Sequence, residues 1–213
     1  MIKALLLYGV NCTAAVWKTL LPLLSSWDCE VLSYPHDVTL RSEAVDDITQ
    51  WVKSNVSDKH YDVVIGHSMG GLIALQLASS LPAITDKVIC LDTNLRPAGA
   101  FFRSLMTETH MVKYGMQIKE MMAAERPFYT HALMRSLQDD FDYTPILSHI
   151  KCPVFLLMGD RGKKDAHEHL YEMNLSQTET ERMNIRFVPD SCHMQMVENP
   201  KALADILNEI CEC

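Results

Sequence analysis

Chemistry concentrates first in Gly66-His67-Ser68-Met69-Gly70-Gly71, where a serine stands between glycines in the pattern Gly-x-Ser-x-Gly. A serine hydroxyl becomes a nucleophile when its turn exposes it and a base takes its proton. Asp62-Val63-Val64-Ile65 before it reads as a buried strand, and Leu72-Ile73-Ala74-Leu75 after it reads as the start of an apolar helix. A turn this abrupt holds its serine in a strained backbone conformation, and side chains at 66 and 70 would collide with neighbouring elements. The strain projects the Ser68 hydroxyl above the sheet edge, and the following helix points its N-terminus at developing negative charge. A base is on offer at His193, within Val188-Pro189-Asp190-Ser191-Cys192-His193-Met194. An imidazole can take a serine proton and return it to a leaving group. The other histidines read as surface groups. His67 packs or hydrogen-bonds inside the turn, and His167 and His169 fall on different faces of a helix, which argues against a shared metal.

These groups need elements to hold them. Short apolar runs over 2–7, 29–34, 61–65, 87–91, 153–158 and 184–188 read as strands. Segments of helical period lie between them, over 13–25, from a Ser42 N-cap to 54, over 72–81, 166–175 and 200–210. Strands alternating with helices predict a mostly parallel six-stranded sheet with helices on both faces, an α/β architecture. The alternation pauses over 98–149, which reads as several helices and holds methionines 106, 111, 116, 121, 122 and 134. No repeat, low-complexity tract or flexible linker divides the chain, so 1–213 is expected to form one domain with 98–149 inserted into it.

With strand, turn and helix in this order, Gly66-His67-Ser68-Met69-Gly70-Gly71 resembles the nucleophile elbow of the α/β-hydrolase superfamily. The order of elements extends the resemblance over almost the whole chain, starting at the third of the family's usual eight strands. The stretch ending in His193, followed by Glu198-Asn199-Pro200, resembles the family's terminal histidine motif. The resemblance implies Ser68 as nucleophile, His193 as base and 98–149 as a lid over the site. It implies an oxyanion hole from the Met69 N–H and a second N–H in Tyr8-Gly9-Val10, which points to Val10. Tyr8 stands where the family usually has histidine. The family acid often follows the fifth of these strands as Gly-x-x-Asp, but this chain reads Gly159-Asp160-Arg161-Gly162, with glycine in the acid's place. Asp160 lies two residues early on the right loop and is the preferred candidate. Asp92, ending the fourth strand, is a position some family members use, and Asp165 either serves or caps the helix after it. A dyad without an acid is the remaining alternative.

Composition narrows the partners. Nineteen Lys and Arg against 27 Asp and Glu give a net charge of −8. An acidic surface repels phosphate backbones and anionic membranes. No apolar run approaches the length of a membrane span, and the opening residues read as a buried strand rather than a leader. Seven scattered cysteines do not make a disulfide framework and point to a reducing cytoplasm. Cys211-Glu212-Cys213 could bind a metal or oxidise, but no metal or organic cofactor is expected. The methionines of the insertion, with Phe101, Phe102, Phe128 and Tyr129, either line an acyl pocket or pack the insertion onto the sheet. Arg96 and Arg103 keep a carboxylated substrate in view, whereas no basic cluster supports a coenzyme-A thioester. The expected function is a serine hydrolase acting on an ester or related acyl bond of a small, largely apolar substrate. A lyase on the same scaffold, with His193 abstracting a proton, and a small-molecule sensor are the alternatives.

Overall fold

The computed structural model describes residues 1–212; Cys213, and with it any Cys211–Cys213 pair, lies outside the described residues. Strands Lys3–Leu7 (β1), Asp28–Val31 (β2), Val63–His67 (β3), Val88–Leu91 (β4), Val154–Gly159 (β5) and Asn184–Val188 (β6) form one sheet. Their order is β2-β1-β3-β4-β5-β6, and every neighbouring pair is parallel. Parallel pairing requires crossovers, which lay helices on both faces and bury the central strands on both sides. β3 and β4 are accordingly buried along their whole length, while the edge strands β2 and β6 are half exposed.

The helix Val45–Val56 buries Val45, Ile48, Val52 and Val56. Asp47 closes its first turn by accepting the N–H groups of Glu43 and Ala44 at 2.7 and 3.0 Å. Ser42 is not its cap, because its hydroxyl donates backwards to the Val38 carbonyl at 2.9 Å. The helix expected over 13–25 is instead two short 3-10 turns, Ala14–Trp17 and Leu21–Leu24. Pro22 has no N–H with which to continue a helix from the first turn into the second. The helix expected over 166–175 is also 3-10, running Ala166–Met173 and ending at Asn174 in the left-handed conformation (φ 56°).

Between β4 and β5 the chain forms no strand but the turns and helices Ala100–Arg103, Glu108–Glu125, Arg126–Phe128, His131–Ser136 and Thr144–His149. Among the described residues no helix is long and apolar enough to cross a membrane. Register aligns the strand ends, with Leu7 opposite Gly66, His67 opposite Leu91, and Gly159 opposite Val188. The loops after β1, β3, β4, β5 and β6 therefore emerge along one edge of the sheet, the edge where open parallel sheets place their sites.

Candidate active site

Ser68 joins β3 to the helix Met69–Ser80 with φ 54° and ψ −121°. A side chain held there costs on the order of 1–3 kcal/mol. The turn closes this tightly because the glycines beside it lack side chains. A Cβ on Gly66 would strike the Gly70 carbonyl, and one on Gly70 would strike the Leu7 carbonyl at the end of β1. The elbow is tied to β4 by Ser68 N–H donating to Leu91 at 2.9 Å and by Thr93 Oγ1 donating to the Ser68 carbonyl at 3.1 Å.

His193 is held through its main chain. Its N–H donates to the Ser104 carbonyl at 3.3 Å, and its carbonyl accepts from His67 Nε2 at 2.9 Å. Glu198, its side chain fully buried, accepts the N–H groups of Cys192 at 2.7 Å, Met194 at 3.2 Å and Thr107 at 2.8 Å. Both neighbours of His193 are thereby clamped to the start of the helix Glu108–Glu125. Burial raises the Glu198 carboxyl above its ordinary value, with these N–H groups opposing. Burial pushes the Cys192 thiol up to about 12.

The acid expectation is corrected by the geometry. The structure does not bring Asp160 to His193: its Oδ1 accepts the Gly162 N–H at 2.8 Å, closing its own turn two residues on. Asp165 is exposed in the same loop. Asp92 is the carboxylate beside the imidazole, with Oδ1 3.3 Å from His193 Nδ1. It is buried, in the left-handed region (φ 42°), and its Oδ2 accepts the Gly159 N–H at 3.0 Å. Arg161, which no reading of the sequence singled out, grips both oxygens at 2.7 and 2.9 Å. Its remaining donors go to the Gly159, Phe101 and Phe102 carbonyls at 2.6, 3.1 and 3.0 Å. Burial alone would raise the Asp92 carboxyl, but Arg161 and the bond to His193 outweigh it and hold it at about 2.

The oxyanion-hole candidates are the main-chain N–H groups of Met69 and Val10. Met69 N–H is in the first helical turn, where no preceding carbonyl is available to it, and Val10 and Met69 line the same cavity as Ser68 and His193. Tyr8, in the place of the family histidine, anchors its loop sideways. Its hydroxyl accepts the Tyr34 N–H at 2.7 Å while Tyr34 Oη donates to the Tyr8 carbonyl at 3.2 Å. The cavity measures about 470 Å³. Of the six methionines of the insertion only Met134 lines it; Met106 is core, and Met116 is exposed. Among the described residues, one group with metal-ligand geometry exists, His60, Asp62 and Asp86, exposed at the opposite edge of the sheet and away from this cavity.

His67 makes a stability prediction. Donation from Nε2 leaves Nδ1 bare, buried and without a partner among the described residues. Burial, then the neighbouring His193, push this imidazole from 6.5 down to about 3. Unfolding below pH 6.5 therefore takes up a proton that the native state does not hold. Stability is fully present above pH 6.5 and falls by about 1.4 kcal/mol per pH unit as pH drops toward 3. Denaturant unfolding at pH 7 and 4.5 should show this slope, reduced by about one proton in His67→Gln. An unchanged slope in the variant would show that native His67 is already charged.

Residues 9–206 match the model of the alpha/beta hydrolase family. Solved structures of similar fold include a hydrolase from Oleispira antarctica, with a TM-score of 0.79 and 13% identity, covering 100% of this chain and 91% of that one. A thermophilic esterase from Thermogutta terrifontis follows at 0.69 and 20%, covering 100% and 90%. The naproxen esterase of Bacillus subtilis stands at 0.71 and 14%, covering 98% and 83%. No curated protein sequence matches significantly. With the match spanning nearly the whole chain and the sheet, elbow and strand-end loops in the order described, the protein belongs to the alpha/beta hydrolase family.

Proposed function

We propose that the protein is a serine hydrolase cleaving a carboxylic ester or related acyl bond through an acyl-enzyme. The observation that carries this reading is the Asp92 carboxylate on Nδ1 of His193, with His193 and the strained Ser68 lining one cavity. Esterases among the structures of similar fold support the substrate class.

Asp92 accepts the Nδ1 proton and fixes the tautomer that leaves His193 Nε2 free to act as base. Ser68 Oγ attacks the carbonyl carbon as its proton passes to Nε2. The Met69 and Val10 N–H groups hold the resulting oxyanion. Collapse expels the alcohol, which leaves with the proton from His193, and the acyl group stays on Ser68. Water then attacks the acyl carbon, giving its proton to His193. The acid departs and Ser68 regains its proton. Arg161 keeps Asp92 ionised and fixed but takes no part in proton transfer. Residues 98–149 act as the lid, supplying Met134, Leu137 and Phe141 to the cavity wall. A reducing compartment, the cytoplasm, fits the free state of the six described cysteines.

A fluorophosphonate, which reacts only with activated serines, is expected to label the tryptic peptide carrying Ser68. A panel of p-nitrophenyl esters of increasing chain length should be hydrolysed in parallel. Absence of both labelling and turnover would overturn the reading.

A further inference from the structure

The cations along the active edge have different fates. Arg161 is spent on Asp92. Arg96 is held by Asp142 at 2.9 Å and by Glu179 at 2.8 Å. Arg103 lines the cavity with Ser68 and His193 and, among the described residues, has no ion pair or hydrogen-bond partner for its guanidinium. Its backbone is fixed on both sides. The Phe101 and Phe102 carbonyls accept from Arg161, and the Ser104 carbonyl accepts the His193 N–H. The side chain thus springs from a segment bonded directly to His193 and to the partner of Asp92.

The lining otherwise carries one formal charge, that of Asp92, and Arg161 cancels it. Arg103, itself exposed, is therefore the one formal charge in this lining without an ion-pair partner among the described residues, in a protein whose net charge is −8. Glu172, whose carboxyl Arg103 helps to lower, is engaged by the Phe101 N–H and by His169, each at 3.0 Å. A second polar group is unspent: Asn94 lines the same cavity with its Oδ1 buried and unpartnered among the described residues. Much of the remaining wall is apolar, with Leu72, Pro97, Ala98, Met134, Leu137 and Phe141.

We propose that Arg103 forms an anionic subsite that receives a carboxylate at the far end of the substrate's apolar chain, so that the preferred substrates are half-esters of dicarboxylic acids. The proposal rests on the hydrolase reading for its scissile bond, but the subsite itself does not. A guanidinium is suited to this task because its planar fork matches a carboxylate. Asn94 adds a hydrogen-bonding end alongside for a substrate hydroxyl or N–H.

Two esters of equal acyl length, monomethyl adipate and methyl hexanoate, test it. Wild type should prefer the charged ester in kcat/KM. Arg103→Ala should cut that preference roughly tenfold, the size expected for one charge-assisted hydrogen bond. Arg103→Lys should keep part of it, and Arg103→Glu should invert it. Using the ratio cancels any general loss of activity in a variant. An equal ratio in wild type and Arg103→Ala would overturn the subsite. Calorimetric titration with adipate supplies an arm independent of turnover: binding to wild type that is lost in Arg103→Glu supports the subsite, and no binding to wild type overturns it. If neither ester is cleaved and fluorophosphonate leaves Ser68 unlabelled, the hydrolase reading falls while the adipate titration still decides Arg103.

Discussion

Asp92→Asn is expected to lower kcat by about four orders of magnitude, the loss seen when an amide imposes the wrong histidine tautomer in a serine protease triad. Asp160→Asn should stay within a few-fold of wild type, because asparagine keeps the Oδ1 that accepts the Gly162 N–H at 2.8 Å. The two substitutions make the same chemical change one loop apart, so the contrast isolates position. Asp92→Asn has a second consequence that must be separated from the first. Arg161 is almost wholly buried and loses its counter-charge, and breaking a buried pair from one side costs about 3–5 kcal/mol. Part of any activity loss could then be unfolding. The double variant Asp92→Asn with Arg161→Met resolves this, since removing both charges should recover part of the stability, less what the Gly159, Phe101 and Phe102 carbonyls lose with the guanidinium, and none of the activity. Collapse of turnover in Asp160→Asn, with Asp92→Asn near normal, would transfer the acid's role to the other loop.

Much of this site is written in local sequence. The strands were legible because central parallel strands are buried on both faces and read as unbroken apolar runs. The elbow was legible because Gly66 and Gly70 are required by backbone contacts to Gly70 and Leu7. The 13–25 segment misled because Val16, Leu20 and Leu24 are buried at helical spacing, yet Pro22 splits their backbone into two 3-10 turns. Which of the three candidate carboxylates stands beside His193 was not legible for a different reason. Asp92 reaches His193 only because β4 lies beside β5 and β5 beside β6, and sheet order is a tertiary fact. A signal was present all the same. Where the family has an aspartate after β5, this chain places Arg161 next to a glycine, and an arginine near the core demands a carboxylate partner from elsewhere. Asp92, at the end of an otherwise apolar strand, was that partner. Glu198 was visible in its motif, but the three N–H groups it accepts come from two separate segments and could not be read from spacing.

Ser68→Ala is expected to remove ester turnover by at least about 10³-fold and by up to about 10⁶-fold, the range spanned when a triad nucleophile is deleted. The fold should survive, since the contacts that tie the elbow to β4, from Ser68 N–H to Leu91 and from Thr93 to the Ser68 carbonyl, use main-chain atoms of residue 68. Ser68→Gly should be just as inactive but more stable than Ser68→Ala. Alanine keeps the Cβ and so keeps the strain of φ 54° and ψ −121°. Glycine releases about 1–3 kcal/mol of that strain and returns about 0.5–1 kcal/mol through the greater freedom of its unfolded chain. The balance favours glycine by about 1 kcal/mol, a rise of roughly 2–4 °C in Tm for a chain of this size. Thermal unfolding of the two inactive variants reads this directly, free of any catalytic effect. A glycine variant less stable than the alanine variant would mean that the elbow stores no strain. Turnover in Ser68→Ala within tenfold of wild type would mean that the nucleophile lies elsewhere.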